Sequence, residues 1–242
     1  MRPVDFFNDI RKFCQTHADP AIVKKYQRYF RDNYDAWGIP HELVEKKVQQ
    51  VTTIEGVNLN FVLETAPLLV RTGKYEETSI AIQLVRHFHK DWNRATFSAV
   101  GKWFEIGIHN WAHSDYISGE LMPLFFKKQL IDYNSFEPWQ TAANKFQRRA
   151  VPVSLIKPLK ALACFDHYLE FIEPMMMDPE REVHQGLGWF LREAWKKQPI
   201  VVEDFLLKYK NTAPRLIFQY ATEKMDTKRK AQFKREKTAG KR

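Results

Sequence analysis

Apolar residues recur at three- and four-residue spacing along almost the whole chain. Near the start, Val4, Phe6, Phe7, Ile10 and Phe13 keep that rhythm over residues 3–17, which predicts an amphipathic helix. Asp19-Pro20 then supplies an N-cap with proline at the first helical position. The helix that follows carries Ile22, Val23, Tyr26, Tyr29 and Phe30. Gly38-Ile39-Pro40 breaks the pattern and opens another helix to about Val51. Further helices are predicted over 58–70, 74–92, 94–108 and 111–128. The second half continues with 135–147 and 149–163, the latter interrupted by Pro152 and Pro158, and then 165–177, 180–197, 199–210 and 212–225. Only Val51-Thr52-Thr53-Ile54 has a strand-like composition. About a dozen helices joined by tight turns predict an all-α protein.

Two architectures fit such a pattern: a globular helical bundle, or an α-solenoid of HEAT-like helix pairs. The helices pair roughly every 30–45 residues without strict identity, as degenerate repeats do, and periodicity alone separates the two only slightly. A solenoid would offer a concave face able to follow duplex DNA. The repeats are expected to form a single domain over residues 1–225. From Asp226 to Arg242 the chain is rich in Lys and Arg with no sustained apolar face. It reads as a disordered solubilising tail or, alternatively, a phosphate-binding arm.

Composition narrows this further. The 242 residues are 44% hydrophobic and 14% aromatic, enough for a large core. Nine glycines are too few for a turn-dense β protein, and Gly186 and Gly188 sit in no phosphate-loop motif. The formal net charge is +9, but residues 224–242 hold nine Lys/Arg against two Asp/Glu. The body is therefore nearly neutral, and any nucleic-acid surface on it must come from uneven placement of charge. Cys14 and Cys164 belong to no metal or disulfide pattern. No apolar run is long enough to span a membrane and the first residues form no apolar leader. A cytoplasmic protein with no cofactor is expected.

The central stretch His109-Asn110-Trp111-Ala112-His113-Ser114-Asp115 places an indole and a carboxylate four positions apart, on one face of a helix. Alone, this pair reads equally as a core Trp beside a solvated or capping Asp. His109 and His113 share the same spacing but lack a third partner for a metal. Met175-Met176-Met177 after Pro174 reads as a helix end packed on a neighbour.

Three further stretches combine aromatic rings with arginine or a carboxylate: Tyr29-Phe30-Arg31 with Tyr34-Asp35-Ala36-Trp37-Gly38-Ile39, Phe146-Gln147-Arg148-Arg149-Ala150, and Gly188-Trp189-Phe190-Leu191-Arg192-Glu193 followed by Pro199. In order, over roughly residues 10–222, they resemble the DNA alkylation repair glycosylases of the AlkD type. The resemblance implies a HEAT-like α-solenoid acting on double-stranded DNA with alkylated bases, as a monomer in base excision repair, nucleoid-associated in a bacterial-type cytoplasm. It implies that Asp115 is the catalytic carboxylate, flanked by Trp111 and Trp189, with Arg149 holding the backbone near the lesion. Tyr29, Arg148 and Arg192 are implied as further DNA contacts. The chain departs from the pattern at Ala112, where the family commonly has an acid, at Phe146, where it commonly has Trp, and at Ser114, where it is often apolar.

The implied chemistry suits so sparse a site. A purine alkylated at N3 or N7 is cationic and leaves as a neutral base, so one carboxylate suffices to stabilise an oxocarbenium-like sugar and to place water. Aromatic faces favour the cation by about 0.5–2 kcal/mol each. The resemblance also implies that the lesion stays stacked while the protein works from the backbone side. Competing readings are a non-catalytic DNA-binding solenoid, favoured if Ala112 and Phe146 disable the chemistry, and a protein-interaction scaffold.

Overall fold

The computed structural model describes residues 1–31 and 34–236, and these are helical with no strand among them. The hydrophobic pattern marks no boundary inside residues 1–225. The packing does: contacts gather into two compact units, Met1–Ile131 and Asp132–Arg242.

Unit 1 contains α1 (Pro3–Thr16), α2 (Pro20–Gln27), α3 (His41–Thr52), α4 (Leu59–Val70), α5 (Tyr75–His87), α6 (Arg94–Ile106), α7 (Trp111–Tyr116) and, after a π-helical turn at Ile117–Leu121, α8 (Met122–Lys127). Helix α4 packs on α1 and α6, α5 packs on α3 and α7, and α4 joins α5. The unit is thus two layers of stacked helices, the arrangement of a helical-repeat fold. Its core is built by Phe6, Ile10, Val62, Leu69, Ile80 and Trp103, all essentially buried. Asp19 caps α2 as expected, accepting from the Ala21 N–H at 2.8 Å, and Asn58 caps α4 by accepting from the Phe61 N–H at 3.1 Å. The strand-like stretch at 51–54 instead ends α3, with Thr53 as its C-cap. Helix α5 stops at His87, short of Trp92. There the chain turns back so that the Trp92 indole N–H donates to the Val85 carbonyl at 2.9 Å.

Unit 2 contains α9 (Glu137–Gln140), α10 (Lys145–Leu159), α11 (Asp166–Ile172), α12 (Arg181–Trp195), α13 (Pro199–Tyr209), α14 (Arg215–Ala221) and α15 (Thr227–Ala231). Helix α12 packs on both α10 and α14. Gly188 makes that approach possible: a Cβ there would lie 2.4 Å from the Tyr220 Cβ and 2.8 Å from the Ile217 carbonyl oxygen. Two helices were expected over 135–147 and 149–163; most of that span is one. Asn144 accepts from the Phe146 N–H at 2.7 Å, and α10 then runs through Pro152 and Pro158. Each interior proline removes a helical hydrogen bond. Burial of all six residues from Val151 to Ile156 compensates, because this helix is covered on every side there.

The tail read as disordered is folded through Glu236. Asp226 caps α15 by accepting from the Arg229 N–H at 2.8 Å. Phe233 is buried with its ring 6.2 Å from that of Phe218, and Arg215 donates to the Phe233 carbonyl at 2.9 Å. Arg229 pairs with Glu203 at 2.7 Å and lies 5.8 Å over the Trp195 ring. The compositional reading failed because one phenylalanine among basic residues is enough to dock the segment. The remainder of the tail expectation, residues 237–242, lies outside the described residues.

Replacing the ring tests this docking. Phe233→Ala is expected to destabilise the protein by about 3 kcal/mol, as for other buried Phe truncations. Urea unfolding reads the loss, and an unchanged midpoint would show that the segment does not belong to the fold.

Candidate functional site

In unit 1 the site begins with two acids on α5. The segment Asp35–Ile39 crosses the unit without helical structure, so its amides need partners. The Glu76 carboxylate provides them, accepting from the backbone N–H groups of Trp37 at 2.8 Å, Gly38 at 2.7 Å and Ile39 at 3.1 Å. Glu77 accepts from the Trp37 indole at 3.1 Å and from the Arg11 Nε at 3.2 Å and Nη2 at 3.1 Å. Both acids are buried in the first turn of α5, where the helix dipole favours negative charge. Gly38 has a φ of +82°, and a Cβ there would strike the Asp19 carbonyl oxygen at 2.1 Å. The aromatic-Gly-Ile motif is thus a fitted loop. Glu76 and Glu77 were missed in the sequence; their one signal is the acidic pair just after the predicted helix start at Lys74.

Rings that precede this segment reach α7. Phe30 lies between Tyr34, at 4.4 Å between ring centroids, and Trp111, at 5.6 Å, with interplanar angles of 16° and 22°. The Trp111 indole N–H donates to the Tyr29 carbonyl at 3.3 Å. The structure therefore brings Tyr29 and Trp111, both expected at the site, next to each other. Trp111 remains 39% exposed and Tyr29 55%. Asp115 follows Trp111 by one turn of α7 and is half-buried. The π-helical turn that comes next is a feature often found beside functional residues.

His113 fixes the start of α7. The ring is buried. Its Nδ1 lies 2.9 Å from the Asn110 side-chain amide, and its Nε2 lies 3.0 Å from the Tyr75 carbonyl and 3.1 Å from the Ser79 hydroxyl. A donor facing Nδ1 and a carbonyl facing Nε2 select the neutral Nε2–H tautomer. Asn110 also caps the helix by accepting from the His113 N–H at 2.9 Å. Burial pushes the His113 pKa down from the usual 6.5 to about 4, while the Tyr75 carbonyl favours the proton and partly opposes that shift. His109, by contrast, is exposed. Among the described residues no group of three or more His, Cys, Asp or Glu is placed to hold a metal.

These elements line an open cavity of about 820 Å³ in unit 1. His41, Tyr75 and Trp111, the first residues of α3, α5 and α7, all line it. Tyr26, Phe30 and Tyr34 supply further rings, and Ala112 contributes a small side chain next to Trp111.

In unit 2 the arginine expectations divide. Arg148 binds Asp178 with two nitrogens, at 2.6 and 3.3 Å, and the carbonyls of Ala142 and Ala143 at 2.7 and 3.1 Å. These bonds engage its donors inside the unit and anchor the start of α10. Arg149 is 6% exposed and donates to the Glu182 carbonyl at 2.9 Å, which ties α10 to α12. Trp189 is half-buried on α12. Arg192 pairs with Glu193 at 3.2 Å and with Glu223.

The His113 network makes a pH prediction. The folded pKa lies below the unfolded one, so the unfolded chain takes up the proton first. The associated stability is complete above pH 6.5 and is lost as pH falls through about 4. The loss is expected to be on the order of 2–3 kcal/mol. Urea unfolding at pH 7 and pH 4.5 measures it against His113→Gln, which lacks the titrating ring. An ordinary His113 pKa in an NMR titration would remove its basis.

Comparison with known proteins places the chain in a family. No curated protein matches the chain. Among solved structures, one titled a predicted DNA alkylation repair enzyme from Enterococcus faecalis is similar, with a TM-score of 0.71 and 16% identity over 87% of this chain and 98% of that one. AlkD2 from Streptococcus mutans is also similar, with a TM-score of 0.57 and 16% identity over 85% and 98%. At that identity the likeness shows a shared fold. Residues 10–225 match the family described as DNA alkylation repair enzyme, and the chain belongs to that family.

Proposed function

We propose that this protein is a DNA glycosylase that releases positively charged N3- or N7-alkylated purines from duplex DNA. The observation that carries the reading is Asp115, set one turn behind a half-exposed Trp111 on a capped helix, in a chain of the DNA alkylation repair family. Asp115 stabilises the oxocarbenium-like deoxyribose as the bond to the base breaks and orients the water that adds to C1′. The bonding pair stays with the departing purine, whose positive charge it neutralises, so no strong general acid is needed. Trp111 and Trp189 supply aromatic faces to the cationic nucleotide. Arg149 acts as a backbone clamp held in place by the Glu182 carbonyl. Tyr29 and Arg192 are further DNA contacts in this scheme.

Release of 7-methylguanine and 3-methyladenine from methylated duplex DNA tests the assignment. Asp115→Asn is expected to slow release by about 10²–10³-fold, the usual effect of losing one charge-stabilising group, while the variant still binds duplex. Release at the wild-type rate would overturn the role given to Asp115. Duplex binding by the wild type with no release at all would favour a non-catalytic DNA-binding protein.

A further inference from the structure

We infer that the folded C-terminal segment of unit 2 is a docking surface for the phosphate backbone of duplex DNA, continuous with Arg192 on α12, and that Glu223 holds the place of a phosphate there. This rests on DNA being the substrate, as proposed above. Most of the segment lies beyond Met225, where the family match ends.

The basic residues of the segment divide by task. Residues 224–236 carry six Lys and Arg against Asp226 and Glu236. The two arginines serve the fold. Arg229 binds Glu203 on α13, and Arg235 donates to the Ala213 carbonyl at 3.0 Å, in the turn between α13 and α14. With Phe233 buried against Phe218 of α14, they fix the segment in place. The four lysines, Lys224, Lys228, Lys230 and Lys234, are exposed. A lysine ammonium is a compact point charge suited to phosphate. Carried on an ordered backbone, it meets its ligand without the entropy cost of fixing a free tail.

Glu223 joins this surface to α12. Its carboxylate accepts from Arg192 and lies 3.0 Å from the Lys224 Nζ, and Lys230 donates to its carbonyl at 3.3 Å. Three cations thus meet at one exposed acid. Bonds from Lys224 and Arg192 hold the Glu223 carboxyl below the usual carboxylate range, so it is ionised at neutral pH. Lys196, one turn beyond Arg192, adds a fourth cation through Glu193 at 2.8 Å. A phosphate arriving at Glu223 finds the donors that already serve a carboxylate. Trp189 lies three positions before Arg192 and therefore shares its face of α12. A backbone that passes Trp189 meets Arg192 and then the lysines. Duplex DNA carries one charge per about 1.7 Å of its axis, so it engages several neighbouring lysines at once.

Binding of the full chain to unmodified duplex, read by fluorescence anisotropy over a range of salt, tests the assignment. Lys224→Gln with Lys230→Gln is expected to weaken binding about tenfold at roughly 0.1 M salt, and to flatten the slope of log affinity against log salt by about one per lysine. Glu223→Gln removes the competing charge and keeps the lysines, and is expected to tighten binding about threefold. Lys208→Gln removes an equally exposed charge from α13 and is expected to change neither quantity. An unchanged slope in the double variant, an equal loss in Lys208→Gln, or weaker binding by Glu223→Gln overturns the proposal. Base release by the wild type from methylated duplex is scored separately. Release with wild-type binding in the double variant rejects the lysine surface alone. Binding that depends on the lysines, with no release, rejects the glycosylase reading alone. Failure of the wild type to bind duplex rejects both.

Discussion

The carboxylate of Glu76 under three successive backbone N–H groups is the interaction on which unit 1 depends. A buried charge is costly unless its oxygens are fully bonded. Here Trp37, Gly38 and Ile39 do the bonding, and Glu77 beside it is met by Arg11 and the Trp37 indole. The need runs both ways: the same acids satisfy amides that an irregular buried segment leaves without partners. Glu76 can reach all three because Gly38 adopts a left-handed conformation against the Asp19 carbonyl. The loop is thereby fixed at both ends, with Asp19 donating to the Trp37 carbonyl at 2.9 Å and Tyr75 to the Asp35 carbonyl at 2.8 Å.

From that anchor the aromatic site follows by adjacency. Tyr75 directly precedes Glu76, so the turn of α5 that holds the loop also presents Tyr75 to the Phe30 and Tyr34 rings. The Tyr75 carbonyl in turn receives the His113 imidazole, which sets the start of α7 and hence the positions of Trp111 and Asp115. Stacking α3, α5 and α7 in one layer brings their first residues to one cavity. A chain of polar bonds, each satisfied within the layer, thus connects an acidic pair on one helix to a candidate catalytic carboxylate on another. Rigidity of this kind suits a site that must meet developing charge without reorganising.

The helical content and its start signals were legible, because apolar spacing and Asx caps act locally. Asp19 performs the bond its position suggests. The site was legible as a set of residue types and less so as geometry. Trp111 and Asp115 could be placed on one helical face from their spacing alone, and the family followed from the order of the motifs. Glu76, Glu77 and His113 could not be assigned roles in advance. Their importance lies in contacts 34–66 residues away along the chain, which no local pattern encodes. The departure at Ala112, visible in the sequence as a missing acid, becomes in the structure a small side chain on the cavity wall. Phe233 shows the opposite limit, since composition describes an average and one buried ring decides the docking of α15.

The motif arginines and glycine show how a sequence signature mixes framework with chemistry. Gly188 is there because α14 leaves no space for a side chain. Arg148 secures the entry to α10 through Asp178 and two carbonyls, and a bidentate guanidinium–carboxylate pair is among the stronger charged contacts a fold can make. Arg192 is drawn towards Glu193 and Glu223 on its own unit. What these framework residues leave half-exposed on α12 is Trp189, the member of the stretch that a packing argument does not need. In unit 1, Lys24, Lys25 and Arg28 have side chains open to solvent around the aromatic cavity or near it in sequence. Because the body as a whole is close to neutral, affinity for a polyanion has to arise from such local groupings. The α2 cations, adjoining the aromatic rings of the unit 1 cavity, form one of them.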